Sequence, residues 1–458
     1  MTSAATIRRS RARVATVSVF NALRGRGPAF FLDSVIDVGG FGRYSFMGVE
    51  PFLVFRSKGR RIDVQRRGAG AEELEGDPFR VLQALLREYH TARPPGAPPF
   101  FGGAVGYFGY DLRHHIEECP ALAADDCPVP DCYLGFYDAV IAVDHHEGTA
   151  YVCAVGDEGH ERAVALERIL ADPGLEAEPG DGAPIRGRLR SDFTKLGYMA
   201  AVRRTKEYIA AGDIIQANLS QRFSAALASN PFDVYCRLRR ANPAPFAAWL
   251  DCGDVCVASS SPELFLRVEG REVTTRPIKG TRPRGRTEAE DAALRQELVE
   301  SEKDRAELLM ITDLERNDLG RVCEYGSVRV PQLFTLETYA TVHHLVATVV
   351  AALRSDVDGI DLLRATFPGG SITGAPKIRA MEIIDELEPT QRGVYTGAIG
   401  YIGFDGDMEL NIAIRTLVMK DDMVHFQVGG GIVADSDPEA EYEETLDKAK
   451  GLMEALGA

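Results

Sequence analysis

Residues 254–259 read DVCVAS, a short apolar, β-branched run that reads as a strand. Ahead of it, MAAVRRTKEYIAAG (Met199–Gly212) has helical spacing and stops on a glycine in the usual C-terminal position. Beyond it, MEIIDEL (Met381–Leu387) is helical again. Strands and helices therefore follow one another without regular alternation. That order argues against a doubly wound parallel sheet and predicts an α+β fold with large, mostly antiparallel sheets.

Upstream, short strands are joined by tight turns, as in PFLVFRSKGRRIDVQ, where Ser57, Lys58 and Gly59 turn a hairpin. PFRVLQALLREYH (Pro78–His90) is the clearest helix of this part. PGLEAEPGDGAPIRGRLRSD (Pro173–Asp192) is rich in Gly, Pro and charge and has no apolar period, so it reads as a linker. The expected organisation is an N-terminal region 1–172, a linker 173–192 and a longer C-terminal region 193–458.

The 458 residues are 45% hydrophobic and 26% charged, ample for a packed core. A net charge of -16 and a pI near 5.2 argue against nucleic-acid binding, which needs a basic face. If the ligand is an anion, the site must gather cations, a metal or backbone N–H groups locally. No apolar run reaches the roughly 18–20 residues of a membrane span. Arg8, Arg9, Arg11 and Arg13 precede the first acid, Asp33, but no apolar core or cleavage pattern follows, so a frayed basic start is expected. Eight cysteines in no ligand spacing read as reduced thiols of a cytoplasmic protein. None lies in the glycine-flanked turn of a glutamine-hydrolysing nucleophile.

Several constellations could carry chemistry. At the C-terminus Asp437 is a good N-cap and Pro438 a good first helical residue. Tyr442, Leu446, Ala449, Met453 and Leu456 then form an apolar stripe, with Glu441 and Glu444 together on its flank. EKDRAELLMITDLERND offers Asp304 and Glu307 at the same interval. Spacing alone favours a solvated acidic face, but two such pairs could also converge on a hard cation such as Mg²⁺. In FPGGSITGAPK, Gly369 and Gly374 have the separation of a nucleotide P-loop, yet Ala375 stands where lysine is required. What survives is a glycine-rich turn opening a helix at Pro376, with free N–H groups for an anion. Gly429, Gly430 and Gly431 similarly permit close backbone approach, and for both stretches a simple tight turn is an equal reading. His343 and His344 should face opposite sides of a strand, and a lone histidine is more often structural. Glu263, beside an apolar segment, suits a general acid, though capping is commoner.

Together PFFGGAVGYFGYDL, GDIIQANLSQRF, SSSPELF, RPIKGTRPRG, KDRAELLMITDLERNDLGRV, FPGGSITGAPKIRAMEIIDELEP and DPEAEYEETLDKAK resemble the chorismate-utilising enzymes. That group contains the large subunits of anthranilate and aminodeoxychorismate synthases and the isochorismate and salicylate synthases. The resemblance implies an α+β fold of two large packed sheets with helices outside, chorismate as substrate and Mg²⁺ as cofactor. It implies Glu307 and Glu444 as metal ligands, supported through water by Glu441 and Asp304. Gly280, Thr281, Tyr395, Arg415, Gly429, Gly430, Gly431 and Lys448 match positions that hold chorismate carboxylates. Glu263 matches the acid that protonates the departing 4-hydroxyl, and His344 a histidine beside the reacting ring.

Two positions divide the family. Isochorismate and salicylate synthases carry a water-activating lysine where this chain has Gln216, so the resemblance implies an amine acceptor, ammonia. Anthranilate synthases carry alanine where this chain has Lys279, and aminodeoxychorismate synthases carry lysine. The resemblance thus implies the aminodeoxychorismate branch, with Lys279 as a covalent nucleophile whose amine is kept neutral by Arg276, Arg282, Arg284, the metal and the exclusion of water. NPAPFAAWL (Asn242–Leu250) also looks more like this branch. An anthranilate synthase is the alternative, and a non-catalytic chorismate or tryptophan sensor a remote one. Lacking a glutaminase nucleophile, the chain is expected to take ammonia from a separate glutamine amidotransferase subunit. FLDS and GRYSFMG (within 30–48) resemble a tryptophan-pocket segment, with Ser34 in place but Asp33 replacing a glutamate, which leaves tryptophan binding open.

Overall fold

The computed structural model describes residues 5–10, 15–171, 184–339 and 342–458. Two twelve-stranded sheets, antiparallel at every pairing, form its body. The first runs in the order Ala5–Ser10, Thr149–Val155, Ala139–Asp144, Tyr44–Val49, Ala29–Asp33, Phe246–Asp251, Cys256–Ser261, Thr416–Lys420, Met423–Ile432, Gln216–Leu227 and Ile185–Ser191, with Gly374–Ala375 also paired to Gln216–Leu227. The second runs Ile278–Pro283, Val342–Ala352, Glu272–Arg276, Leu264–Glu269, Met408–Ile412, Ala398–Gly403, Gly103–Phe108, Cys132–Tyr137, Leu53–Lys58, Arg61–Arg66 and Ala71–Glu75, with Arg329–Thr338 also paired to Val342–Ala352.

Alternation along each strand decides what lies where. Phe30 and Leu250 point into the core shared with Phe55, Leu134, Ile399 and Leu410 of the second sheet. Their neighbours Phe31 and Trp249 point the other way, onto the helices Thr16–Leu23, Gly156–Leu170, Pro231–Ala241 and Pro438–Ala455. Within the shared core Phe30 meets Tyr137 edge-on at 4.6 Å, and each such fully buried aromatic contributes about 1.5–3 kcal/mol. The helices Glu288–Glu300 and Glu302–Gly320 cover the far face of the second sheet, where Leu298 and Leu308 pack on Leu345 and Ala347. The expected two-sheet α+β architecture is what the chain adopts.

Local expectations fared unevenly. Gly212 ends the helix Lys195–Ala211 with φ +83°, and Asp437 caps Pro438–Ala455 through the N–H groups of Glu439 and Ala440. The linker does not divide the molecule. Ile185–Ser191 is an edge strand whose Ile185 and Leu189 rest on the core, residues 173–183 lie outside the described residues, and both sheets mix strands from either side of it. The basic start is not frayed where it is described: Ala5–Ser10 pairs with Thr149–Val155, and Arg8 bonds Glu167 at 2.7 Å. The hairpin turn falls on Gly59 and Arg60, one residue later than expected, because Lys58 still pairs with Arg61. Both His343 and His344 are buried, since strand Val342–Ala352 is covered on both faces. In the last helix the deepest line is Glu441, Thr445, Ala449 and Leu452, so Glu441 lies on the buried stripe rather than its flank. All eight cysteines are free, and among the described residues no helix is long and apolar enough to cross a membrane.

Candidate active site

Two of the points at which the chain passes between the sheets lie side by side. Strand Cys256–Ser261 of the first sheet leads through Pro262 and Glu263 into Leu264–Glu269 of the second. Met408–Ile412 returns through Arg415 to Thr416–Lys420 of the first. The crossings are laced together: Ile412 N–H donates to the Glu263 carbonyl at 3.0 Å, Ser260 N–H to the Arg415 carbonyl at 3.1 Å, and the Ser261 hydroxyl to the Ile412 carbonyl at 2.6 Å. Arg415 is held with φ +51°, a left-handed backbone that a side-chain-bearing residue seldom adopts and that clusters at functional sites.

Lys279 and Glu263 meet at Ser371. The Lys279 amine donates to the Ser371 carbonyl at 3.2 Å, and the Glu263 carboxyl bonds the Ser371 side chain. Burial raises the Glu263 carboxyl above its ordinary value, with Ser371, Lys279, Ile278 N–H and Arg415 opposing. Burial likewise lowers the Lys279 amine; the Glu307 carboxylate opposes, the Lys448 cation adds to the lowering, and Glu263 and Glu444 oppose further. The arginines expected to do this are spent elsewhere: Arg276 pairs with Glu337, Arg282 with Glu297 and Asp304 at 2.7 and 3.1 Å, and Arg284 with Asp291 at 2.7 Å. An ion-paired guanidinium projects little net field, which leaves desolvation as the main cause, with a smaller contribution from Lys448, itself paired with Glu444.

Gly280 is an extra residue in its strand, since Lys279 pairs with Leu345 and Thr281 with His344. The Thr281 hydroxyl bonds His344 Nδ1 at 2.9 Å. Burial, then the Arg415 cation, lower His344 to about 3, so its ring is neutral. His344 Nε2 is buried and has no partner, as are both polar atoms of the Gln216 amide. That amide lies against Gly431, where a Cβ would come within 2.4 Å of Gln216 Nε2. Arg415 bonds only the Asn242 amide oxygen, at 3.2 Å, and has no ion-pair partner among the described residues. Orphaned polar atoms and a guanidinium without an ion-pair partner in one neighbourhood are what an anionic, hydroxylated ligand would satisfy.

Glu307 comes from Glu302–Gly320, and Glu441, Glu444 and Lys448 from Pro438–Ala455. A Cβ on Gly430 would lie 3.2 Å from Glu441 Oε2, 3.5 Å from Glu444 Oε1 and 3.9 Å from Lys448 Nζ. Lys448 bonds Glu444 at 2.7 Å and the Gly429 carbonyl at 2.9 Å, while Lys303 stands 3.8 Å from Glu307. Burial raises Glu307 and Glu441, whereas Lys448 lowers Glu444. Among the described residues no three His, Cys, Asp or Glu side chains converge to close a coordination sphere on their own. The donors that do gather are carboxylate oxygens over bare glycine backbone. That set fits a hard cation that keeps water and takes further oxygens from a ligand. Asp304 is engaged by Arg282.

Tyr395 stands further back. It lies 5.7 Å from Arg392, which donates to the Asn218 carbonyl at 2.7 Å, and it lines a small surface pocket with Arg222, His425 and Gln427. Sequence reasoning missed Ser371 and Asn242, although both lie inside quoted motifs; only the tertiary fold reveals what they hold. A second small pocket is lined by Asp33, Ser34, Tyr44, Pro245 and Phe246, where the tryptophan-pocket segment was expected. Its two carboxylates are already paired, Asp33 with Arg239 at 2.5 Å and Glu409 with Arg267.

A model of the chorismate binding enzyme family matches residues 41–454. Anthranilate synthase component 1 of Thermus thermophilus is 43% identical over 96% of this chain and 95% of its own length. Aminodeoxychorismate synthase component 1 of Bacillus subtilis is 40% identical over 91% and 89%. The crystal structure of anthranilate synthase component I from Streptococcus pneumoniae superposes with a TM-score of 0.79 at 34% identity, covering 89% of this chain and 91% of that one. The fold and the full-length matches agree, and the chain belongs to the chorismate binding enzyme family.

Proposed function

We propose that the protein is the large subunit of an aminodeoxychorismate synthase, converting chorismate and ammonia to 4-amino-4-deoxychorismate. The observation that carries this reading is the half-buried Lys279 amine, its proton affinity lowered, sharing Ser371 with the Glu263 carboxyl. An amine so placed is a nucleophile when neutral, and a carboxyl with raised pKa beside it is a general acid.

Lys279 Nζ adds to C2 of chorismate, the ring double bonds shift, and the C4–O bond breaks. Glu263 gives its proton to the departing oxygen, so water leaves and Glu263 becomes a carboxylate. Ammonia then bonds to C4, the double bonds shift back, and the C2–N bond breaks to free the Lys279 amine. The proton on the new ammonium returns to Glu263. His344, neutral and anchored by Thr281, offers its free Nε2 to the ring; Gln216 can hydrogen-bond but not deprotonate water, which disfavours a hydroxyl product. Arg415, Lys448 and the backbone at Gly280 and at Gly429–Gly431 receive the carboxylates, with Tyr395 behind them.

Mg²⁺ would be held by Glu307 and Glu444, with Glu441 supporting through water. Bound there, it supplies positive charge against a substrate carboxylate. Because the chain has no glutaminase nucleophile, ammonia would come from a separate amidotransferase subunit.

Similarity to proteins named anthranilate synthase component 1 supports a second reading, in which ammonia attacks C2 directly and pyruvate leaves. Chromatography of the products from chorismate, Mg²⁺ and ammonium distinguishes them. The wild type is expected to yield 4-amino-4-deoxychorismate and Lys279→Ala to lose it; anthranilate from the wild type would establish the second reading instead.

A further inference from the structure

Behind the Gly370–Ser371 turn lies a carboxyl that the mechanism above does not use. Glu315, on the helix Glu302–Gly320, is only 2% exposed. Its Oε1 accepts the Gly370 N–H at 3.2 Å, and its Oε2 is buried with no partner. A Cβ on Gly370 would sit 3.3 Å from that Oε1, so the carboxyl and the turn are in direct contact. The next residue, Ser371, holds both reacting groups: its carbonyl accepts from Lys279 at 3.2 Å and from the Asn218 amide at 3.2 Å, and its side chain bonds Glu263. Two consecutive residues thus join Glu315 to the reaction centre.

We propose that Glu315 is a positioning residue of this centre: a buried carboxylic acid that holds the Gly370–Ser371 turn, and through it the Lys279 amine and the Glu263 carboxyl, in working register. This rests on the reading of Lys279 and Glu263 given above. Its protonation state matters because of what faces it. Asp318 lies on the same helix, Lys377 on the helix Lys377–Leu387, Glu263 on the sheet crossing, and the Gly370 N–H on the turn. Burial first, and the Asp318 carboxylate second, raise Glu315 to about 8, so at neutral pH it is an uncharged acid. Lys377 is committed to Asp318 and to the Thr366 carbonyl at 2.8 Å. Once ionised, Glu315 would compete for that ammonium and place a new negative charge near Glu263. The turn would then be pulled from both sides, and the centre would lose register as pH rises through about 8.

The test is the pH profile of chorismate consumption at fixed free ammonia for wild type, Glu315→Gln and Glu315→Ala. Glutamine keeps an acceptor for Gly370 and cannot ionise. It should stay within about threefold of wild type at pH 7 and lack the wild-type decline above pH 8. Alanine leaves the turn unheld and should lose about tenfold at every pH, mostly in kcat. A difference infrared spectrum of wild type against Glu315→Gln at pH 7 should show one protonated-carboxyl band that the variant lacks. A Glu315→Gln profile superimposable on wild type, a Glu315→Ala variant with full activity, or absence of the band would each overturn the assignment. Chorismate consumption reports on Glu315 whichever amine product forms, whereas product identity reports on the reading beneath it. The infrared band stands even if no chorismate is consumed.

Discussion

A Cβ on residue 280 would lie 2.8 Å from Leu298 Cδ1 and 2.9 Å from Asp304 Cβ, on a backbone already at φ +78°. Helix Glu302–Gly320 can press against the Lys279 strand only because that residue is glycine. Gly280→Ala is therefore expected to cost about 1–3 kcal/mol of stability and to displace Lys279. A lowered urea midpoint together with a lowered rate of chorismate consumption would show this, and an unchanged midpoint would contradict it. In the proposed reaction Glu263 acts through its proton. Glu263→Gln preserves shape but cannot protonate a leaving group, so kcat should fall about a hundredfold or more while KM changes little. A rise in KM at constant kcat would instead make Glu263 a substrate anchor. At this scale the residues alone left Glu263 and the two acidic pairs open, and only the family resemblance singled them out, with Lys279, as candidates. Ser371 and Asn242 were invisible because their tasks belong to the fold: one carbonyl and one amide become important only when distant strands bring Lys279 and Arg415 to them.

The C-terminal helix depends on Asp437, whose side chain accepts from the N–H groups of Glu439 and Ala440. Asp437→Ala should cost about 1 kcal/mol. Because Glu441, Glu444 and Lys448 ride on that helix, the Mg²⁺ concentration needed for half-maximal activity should rise as well. An unchanged Mg²⁺ requirement would place the metal elsewhere. Helix Glu302–Gly320 carries a pH signature of its own. Native Glu315 keeps its proton to about 8, whereas its ordinary value is 4.5. Between these values the folded state binds the extra proton, so the stability it contributes falls as pH rises. The stability advantage of Glu315→Gln over wild type should accordingly grow from pH 5 to pH 8; urea midpoints that run parallel would contradict this. Helix ends were legible because caps are local: Gly212 and the Asp437–Pro438 pair define their helices from neighbouring residues alone. Ile185–Ser191 was not, since an edge strand rich in arginine lacks apolar alternation and owes its conformation to pairing with Gln216–Leu227.

Across the whole molecule, the decisive feature is that the sheets share strands from every part of the chain. Composition and irregular alternation were enough to predict antiparallel sheets, but strand order is a long-range property with no local signature. The two crossings at Glu263 and Arg415 explain how a protein of net charge -16 can hold an anion. One of them carries Arg415, which has no ion-pair partner among the described residues, whereas Arg276, Arg282, Arg284 and Lys448 are each paired with carboxylates. The central claim is that Lys279 bonds covalently to the substrate. Intact-mass and peptide mass spectrometry of the protein quenched with chorismate and Mg²⁺, in the absence of ammonia, tests it most directly. The expected result is a mass gain of chorismate less one water, located on Lys279 and discharged when ammonium is added. A protein that makes 4-amino-4-deoxychorismate at full rate with no such adduct, or that yields anthranilate while Lys279 stays unmodified, would contradict it.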